Sequence, residues 1–320
     1  VRDLVKTASF GVGSFIGVPL TMAGGEVYGS FCCISRAAKP DLVQRDVRLM
    51  NMLAELLIEE IDAQHDRDRQ RAQLEQLIAV GRITIALQPI VDLGSRRCVG
   101  MEALSRFPAG FGTPDVVFAA AHTVGVGLEL ERLAVRSAFE LLPTLRDPIY
   151  IGLNLGPAVA LQLMDTLPGG MDIPWDRIVL EITEHAAVED YAELRKALRP
   201  MREKGLRVAV DDAGAGYASM QHVVEMRPDI IKVDRTLIDG LARDPARRSV
   251  VSAFVLLAYE LEATVLAEGV ETADDLNAAR RLGATSAQGY VIARPSIDPD
   301  DHHRWGGSRD LLAQIDEPQV

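Results

Sequence analysis

Six stretches of this chain end an apolar run on a polar or charged side chain. Glu102 follows Val99-Gly100-Met101, Asn154 closes the run from Ile149 to Leu153, and Glu181 follows Ile178-Val179-Leu180. Asp211 and Asp212 follow Val208-Ala209-Val210, Lys232 and Asp234 lie at the end of Ile230-Ile231, and Glu268 follows Val265-Leu266-Ala267. Taken singly, each acid reads as a solvated loop residue or a helix N-cap. Taken together, Glu102, Glu181, Asp211, Asp212 and Glu268 would repel one another in a partly desolvated cleft unless cations sat among them. All-oxygen ligands, with no Cys or His at these positions, point to hard ions such as Mg²⁺ or Mn²⁺ rather than zinc. In the Asp211-Asp212 pair, one carboxylate could bridge two ions while its neighbour holds the second. Lys232 reads either as a surface lysine with its stem on apolar surface or, among these acids, as a group that orients or deprotonates water.

The elements that must position these residues follow from the hydrophobic rhythm. Short apolar runs at 83–87, 149–155, 178–182, 206–210, 229–233, 263–267 and 284–287 are mostly separated by amphipathic helical stretches, a pattern that predicts a parallel sheet. Seven or eight such units over about 225 residues fit a closed, TIM-like β/α barrel better than an open sheet. The polar residues at the run ends would then stand on the barrel's catalytic rim.

Composition bounds the rest. A net charge of −12 argues against binding a long nucleic acid through a basic face, but not against a small phosphodiester held through metal ions. No apolar run reaches the ~20 residues of a membrane span, and no signal-peptide pattern opens the chain, so the cytoplasm is the expected compartment. Cys32, Cys33 and Cys98 match neither a disulfide framework nor zinc spacing and read as core or strand residues.

Residues 1–62 predict two strands joined as a hairpin through Gly24-Gly25, then a helix with apolar residues at Val43, Val47, Met50, Leu53, Leu57 and Ile61. Strand Gly17-Val18-Pro19-Leu20, then Gly29-Ser30-Phe31-Cys32 and a closing helix, resembles the C-terminal half of a GAF sensory domain, here an α+β segment without its N-terminal half. Residues 63–80 carry mixed charge and predict a connecting helix, either a solvated linker or a signalling helix paired across a dimer.

Gln88-Pro89-Ile90 and Met101-Glu102-Ala103-Leu104-Ser105-Arg106 resemble the signature of EAL-domain phosphodiesterases, which hydrolyse cyclic dimeric GMP to the linear dinucleotide pGpG. Glu181-Ile182-Thr183-Glu184, Asp211 through Tyr217, Lys232-Val233-Asp234, Ala267 through Thr272 and Gln288-Gly289-Tyr290 follow in the family's order, and the resemblance spans about residues 74–305. It implies that Glu102, Asn154, Glu181 and Asp211 ligate one metal ion, with Asp211, Asp212 and Glu268 at a second. Lys232, Glu268 and Glu271 would serve catalysis, Gln88, Arg106, Asp234 and Gln288 would contact substrate or water, and Glu184 would anchor the loop after Asp212. The expected division is a GAF-like segment at 1–62, a connecting helix at 63–80, an EAL barrel at 81–308 and a tail at 309–320, assembled as a homodimer through the barrel. Loss of the family's usual aromatic and hydroxyl groups at Ala213, Ala215 and Ala218, with Met220 for the usual Leu, bears on the rigidity of that loop. Gly156 replaces a usual Ser, and Phe107 a common Trp. The competing expectation is a non-catalytic receptor for the same nucleotide that signals through protein contacts.

Overall fold

The computed structural model describes residues 11–39, 43–167, 173–182, 188, 190–214, 217–307 and 309–315. The chain divides into two compact units, Val1–Glu75 and Gln76–Val320.

In the first unit the expected hairpin forms. Strand β1 (Ser14–Thr21) pairs antiparallel with β2 (Val27–Ser35), and Gly25 takes the positive φ of 83° that the connecting turn needs. Helix α1 (Gln44–Ala79) covers one face of the hairpin, burying Met50 and Ala54 against Val18 and Leu20, with Val47, Ile58 and Ile61 packed around them. The mixed-charge stretch does not interrupt α1. Ion pairs one or two turns apart, Arg67–Glu60 and Arg71–Glu75, both at 2.8 Å, run along its surface. Cys32 and Cys33 are exposed on β2, whereas Cys98 is buried.

The second unit is a closed eight-stranded barrel in the order β10-β3-β4-β5-β6-β7-β8-β9. Its strands are β3 (Thr84–Asp92), β4 (Cys98–Arg106), β5 (Tyr150–Leu155), β6 (Ile178–Ile182), β7 (Arg207–Ala213), β8 (Ile230–Val233), β9 (Thr264–Ala267) and β10 (Ser286–Ala287). The helices between them are α2 (Pro114–Thr123), α3 (Gly127–Phe139), α4 (Pro157–Leu161), α5 (Leu163–Thr166), α6 (Tyr191–Arg202), α7 (Tyr217–Met226), α8 (Arg235–Ile238), α9 (Pro245–Glu260) and α10 (Ala273–Leu282), with α11 (Pro299–Trp305) after β10.

The alternation of strands and helices predicts a parallel sheet, but the sheet is not wholly parallel. β3 runs antiparallel to both β4 and β10 because β3 and β4 are joined directly as a hairpin with no crossover helix. That pairing carries β4 on to Arg106, so Glu102 lies mid-strand, opposite Gln88, rather than at a strand end. Inside the barrel, Ile90, Tyr150, Val179, Ala209, Ile230 and Leu266 pack as one apolar cluster.

Candidate active site: an acidic layer inside the barrel

Strand side chains alternate between faces, so the residue two positions along from each member of the apolar cluster also points inward. On the parallel strands this step leads from Val179 to Glu181, Ala209 to Asp211, Ile230 to Lys232 and Leu266 to Glu268. On the reversed strand β3 the step runs backward, from Ile90 to Gln88. The site is therefore the next layer of the barrel interior, built on the apolar one. On β5 the step from Tyr150 meets Gly152, where a Cβ would collide with the Glu181 carboxylate; the missing side chain makes room for Glu181.

Asp211 and Asp212 share the site through a bulge. Between Val210↔Ile231 and Ala213↔Val233, the two aspartates on β7 lie opposite the single residue Lys232 on β8. Asp212 has φ 51°, a left-handed backbone that Asp tolerates better than most residues, and its N–H donates to Asp211 Oδ1 at 3.0 Å. The strain sits where two neighbouring side chains must face one cavity.

Carboxylate oxygens of Glu102, Glu181 and Asp211 approach one another within 4.8 Å, as do those of Asp211, Asp212 and Glu268, and Asp211 belongs to both sets. Asn154 Nδ2 donates to Glu102 Oε1 at 2.8 Å, placing the amide beside the first set. Gln288 Nε2 donates to Glu102 Oε2 at 2.6 Å and to Gln88 Oε1 at 3.1 Å, while Gln88 Nε2 donates to the Ala293 carbonyl at 3.0 Å. Gln288 Oε1 is buried and accepts no hydrogen bond among the described residues.

Lys232 is 1% exposed and not the surface lysine of the simplest reading. Its Nζ lies 2.9 Å from Asp211 and from Glu268, 3.6 Å from Glu102, and in direct contact with Glu181. Burial alone would depress its pKa, but the carboxylates of Asp211, Glu102, Glu181 and Glu268 override that and hold the ammonium well above its ordinary range. Burial, reinforced by Glu102 and Asp211, pushes the Glu181 carboxyl up to about 8 against the pull of Lys232. Glu268 is raised well above the ordinary carboxylate range, first by burial and then by the neighbouring acids. Among the described residues, five carboxylates gather around one ammonium, an excess of four negative charges when all are ionised, which two divalent cations would cancel. The all-oxygen donor set fits hard ions of that kind.

Above this layer is an open cavity of roughly 290 Å³, with Gln88, Asp234, Glu271 and Gln288 in its lining together with the acids other than Glu181. Asp234 also caps α8, accepting from the Thr236 N–H at 2.9 Å, so the ordinary helix-cap reading holds for this acid. Arg106 is half-buried at the end of β4, donates to the Ser105 carbonyl at 2.9 Å, and is not among the lining residues. Glu184, Ala215 and Gly216 lie outside the described residues. Sequence reasoning did not single out Arg235 or Gly152. Arg235 follows Asp234 at the start of α8, and Gly152 stands two residues before Asn154, so strand spacing carried a signal for both.

Comparison with known proteins places this geometry in a family. The EAL domain family matches residues 71–295 and the GAF domain family residues 2–61. The chain belongs to the EAL-domain family. It is 30% identical over 232 residues to the cyclic di-GMP phosphodiesterase PA2567 of Pseudomonas aeruginosa, covering 69% of this chain and 39% of the relative. It is 31% identical over 255 residues to the probable cyclic di-GMP phosphodiesterase PdeN of Escherichia coli, covering 74% of this chain and 48% of the relative. The chain thus spans less than half the length of either relative. The Klebsiella pneumoniae BlrP1 complex with manganese and cy-diGMP superposes with a TM-score of 0.59 at 30% identity, covering 67% of this chain and 56% of that one. A calcium complex of the same protein gives 0.58. No described helix is long and apolar enough to cross a membrane.

Proposed function

We propose that this chain hydrolyses cyclic dimeric GMP to linear pGpG, using two Mg²⁺ or Mn²⁺ ions per site. The observation that carries this reading is the pair of carboxylate triads joined through Asp211, with a surplus of negative charge that two divalent ions would balance. Bound ions of this kind lower the pKa of water and neutralise charge on a phosphodiester approaching its transition state. Glu102, Asn154, Glu181 and Asp211 would hold one ion, and Asp211, Asp212 and Glu268 the other. Lys232, fixed at the centre of the acids, positions the attacking water. Glu268 and Glu271 line the same cavity and complete the water's surroundings. Gln88, Asp234 and Gln288 contact substrate, with Arg106 beside them at the end of β4, and Glu184 steadies the loop beyond Asp212.

We further propose the division into a GAF-like segment at 1–62, a connecting helix at 63–80, the barrel at 81–308 and a tail at 309–320. The GAF and EAL matches support the first and third of these. A homodimer through the barrel is supported by exposed Met220 and Val224 on α7 and Leu256 and Tyr259 on α9. Cytoplasmic residence is supported by the three free thiols, which suit a reducing compartment. The testing experiment is incubation of the purified chain with cyclic dimeric GMP and Mg²⁺ or Mn²⁺, followed by chromatography. Linear pGpG is the expected product; binding without turnover under either ion would favour the receptor reading. Light scattering at working concentration tests the dimer, which a strict monomer would rule out.

A further inference from the structure

Among the described residues the cavity lining contains two cations, and one of them is committed elsewhere. Lys232 is buried against four carboxylates. Arg235, the first residue of α8, is exposed, and its guanidinium pairs with Glu271 at 3.0 Å. Its position is built into the fold. Gly269 sits at φ 60°, and a Cβ there would lie 2.5 Å from Cβ and Cγ of Arg235, so the arginine stem crosses the backbone next to Glu268 in a space that only glycine leaves open. The stem is thereby set beside a cavity whose other ionised lining groups among the described residues, apart from Lys232, are all acids.

We infer that Arg235 is a substrate-contacting residue that receives the phosphodiester not undergoing hydrolysis. The inference rests on the proposed function. A cyclic dinucleotide carries two phosphodiesters on one ring, so placing one at the acidic layer brings a second anion into the same cavity. That anion faces carboxylates unless a cation meets it. A guanidinium offers paired N–H donors matched to two phosphate oxygens, and among the described lining residues Arg235 is the exposed one with that chemistry. Glu271 pairs with the guanidinium in the structure; on substrate binding, the phosphate takes its place and the Glu271 carboxylate is released toward the attacking water. Substrate arrival is thus coupled to freeing a group of the catalytic machinery.

The test is steady-state hydrolysis of cyclic dimeric GMP by wild type, Arg235→Ala and Arg235→Lys, with thermal melting as a check on folding. Arg235→Ala is expected to raise KM about tenfold or more, the size of a lost charge-assisted hydrogen bond, with kcat falling much less. Arg235→Lys should recover part of that loss, since charge is kept and the paired donors are not. For any variant too slow to assay, calorimetric titration of the dinucleotide in Ca²⁺ reads the same weakening as a change in Kd. An unchanged KM or Kd in Arg235→Ala, or a fall in kcat alone, would overturn the inference by showing that the arginine only orients Glu271. Failure of wild type to turn over the dinucleotide would instead remove the proposed function, and this inference with it.

Discussion

Two layers of one barrel interior, two residues apart on the five strands that serve both, do opposite things. The lower layer, Ile90, Tyr150, Val179, Ala209, Ile230 and Leu266, is apolar and closed. The upper layer, Gln88, Glu102, Glu181, Asp211, Lys232 and Glu268, is charged and opens into the cavity, except for Glu181 at its base. The lower layer gains stability from removing apolar surface from water, while the upper one gathers like charges at a cost to the metal-free fold. The difference teaches that the barrel separates stability from chemistry by one step of strand alternation. A charged site this dense is tolerable because the layer beneath it fixes its geometry.

The sharpest way to break the comparison is to mutate each layer and read both activity and stability. Glu102→Ala or Glu268→Ala should lower turnover of cyclic dimeric GMP by about a thousandfold, several kcal/mol of transition-state stabilisation, with a cooperative melt retained. Leu266→Ala should do the reverse, costing about 2–5 kcal/mol in denaturant unfolding while folded molecules keep their activity. A similar loss of stability from both layers, or of activity from both, would erase the distinction.

Lys232→Met removes the one cation that the described residues place within the upper layer. Turnover should fall by about a hundredfold, and the variant's melting temperature should depend more steeply on added Mn²⁺ than wild type's, because its acids then lack the ammonium that sits among them. Equal responses to Mn²⁺ would mean that the ammonium does not balance the acids.

Acidity gives a weaker effect with a definite sign. Glu181 titrates near 4.5 in an unfolded chain and is pushed up to about 8 in the fold, with Glu268 shifted the same way. Between those values the folded, metal-free protein holds protons that the unfolded chain releases. Stability from this source is full below the lower value and is lost as pH rises through the upper one. Melting in EDTA should therefore fall across this window, and saturating Mn²⁺, which displaces the protons, should flatten the profile. The smallest expected effect is that of Asp234→Ala on the fold, about 1 kcal/mol for the lost cap of α8, read by denaturant unfolding.

Much of the site could be read in the sequence because chemistry and strand ends are both local signals. The run Val208-Ala209-Val210 before Asp211-Asp212 announces a strand feeding a pair of acids, and the ordered motifs around Glu102, Lys232 and Glu268 identify the family without coordinates. The hairpin and the long helix α1 were equally legible, through a Gly-Gly turn and an apolar repeat of threes and fours.

What sequence could not decide depended on partners distant along the chain. The reversal of β3 is a property of how the first two barrel strands pair, and it moved Glu102 from an expected strand end to mid-strand opposite Gln88. The burial of Lys232 comes from four carboxylates on four other strands, β4, β6 and β7 within the barrel and the end of β9, which no local pattern around residue 232 encodes. The bulge that turns Asp211 and Asp212 into one cavity needs β8 as its reference strand, and the place of Arg235 needs Gly269 beneath its stem. Residue types and spacing determined which chemistry the chain carries. Closure of the barrel decided which charges meet, because electrostatic energy depends on separation in space and on shielding from water, not on separation along the chain.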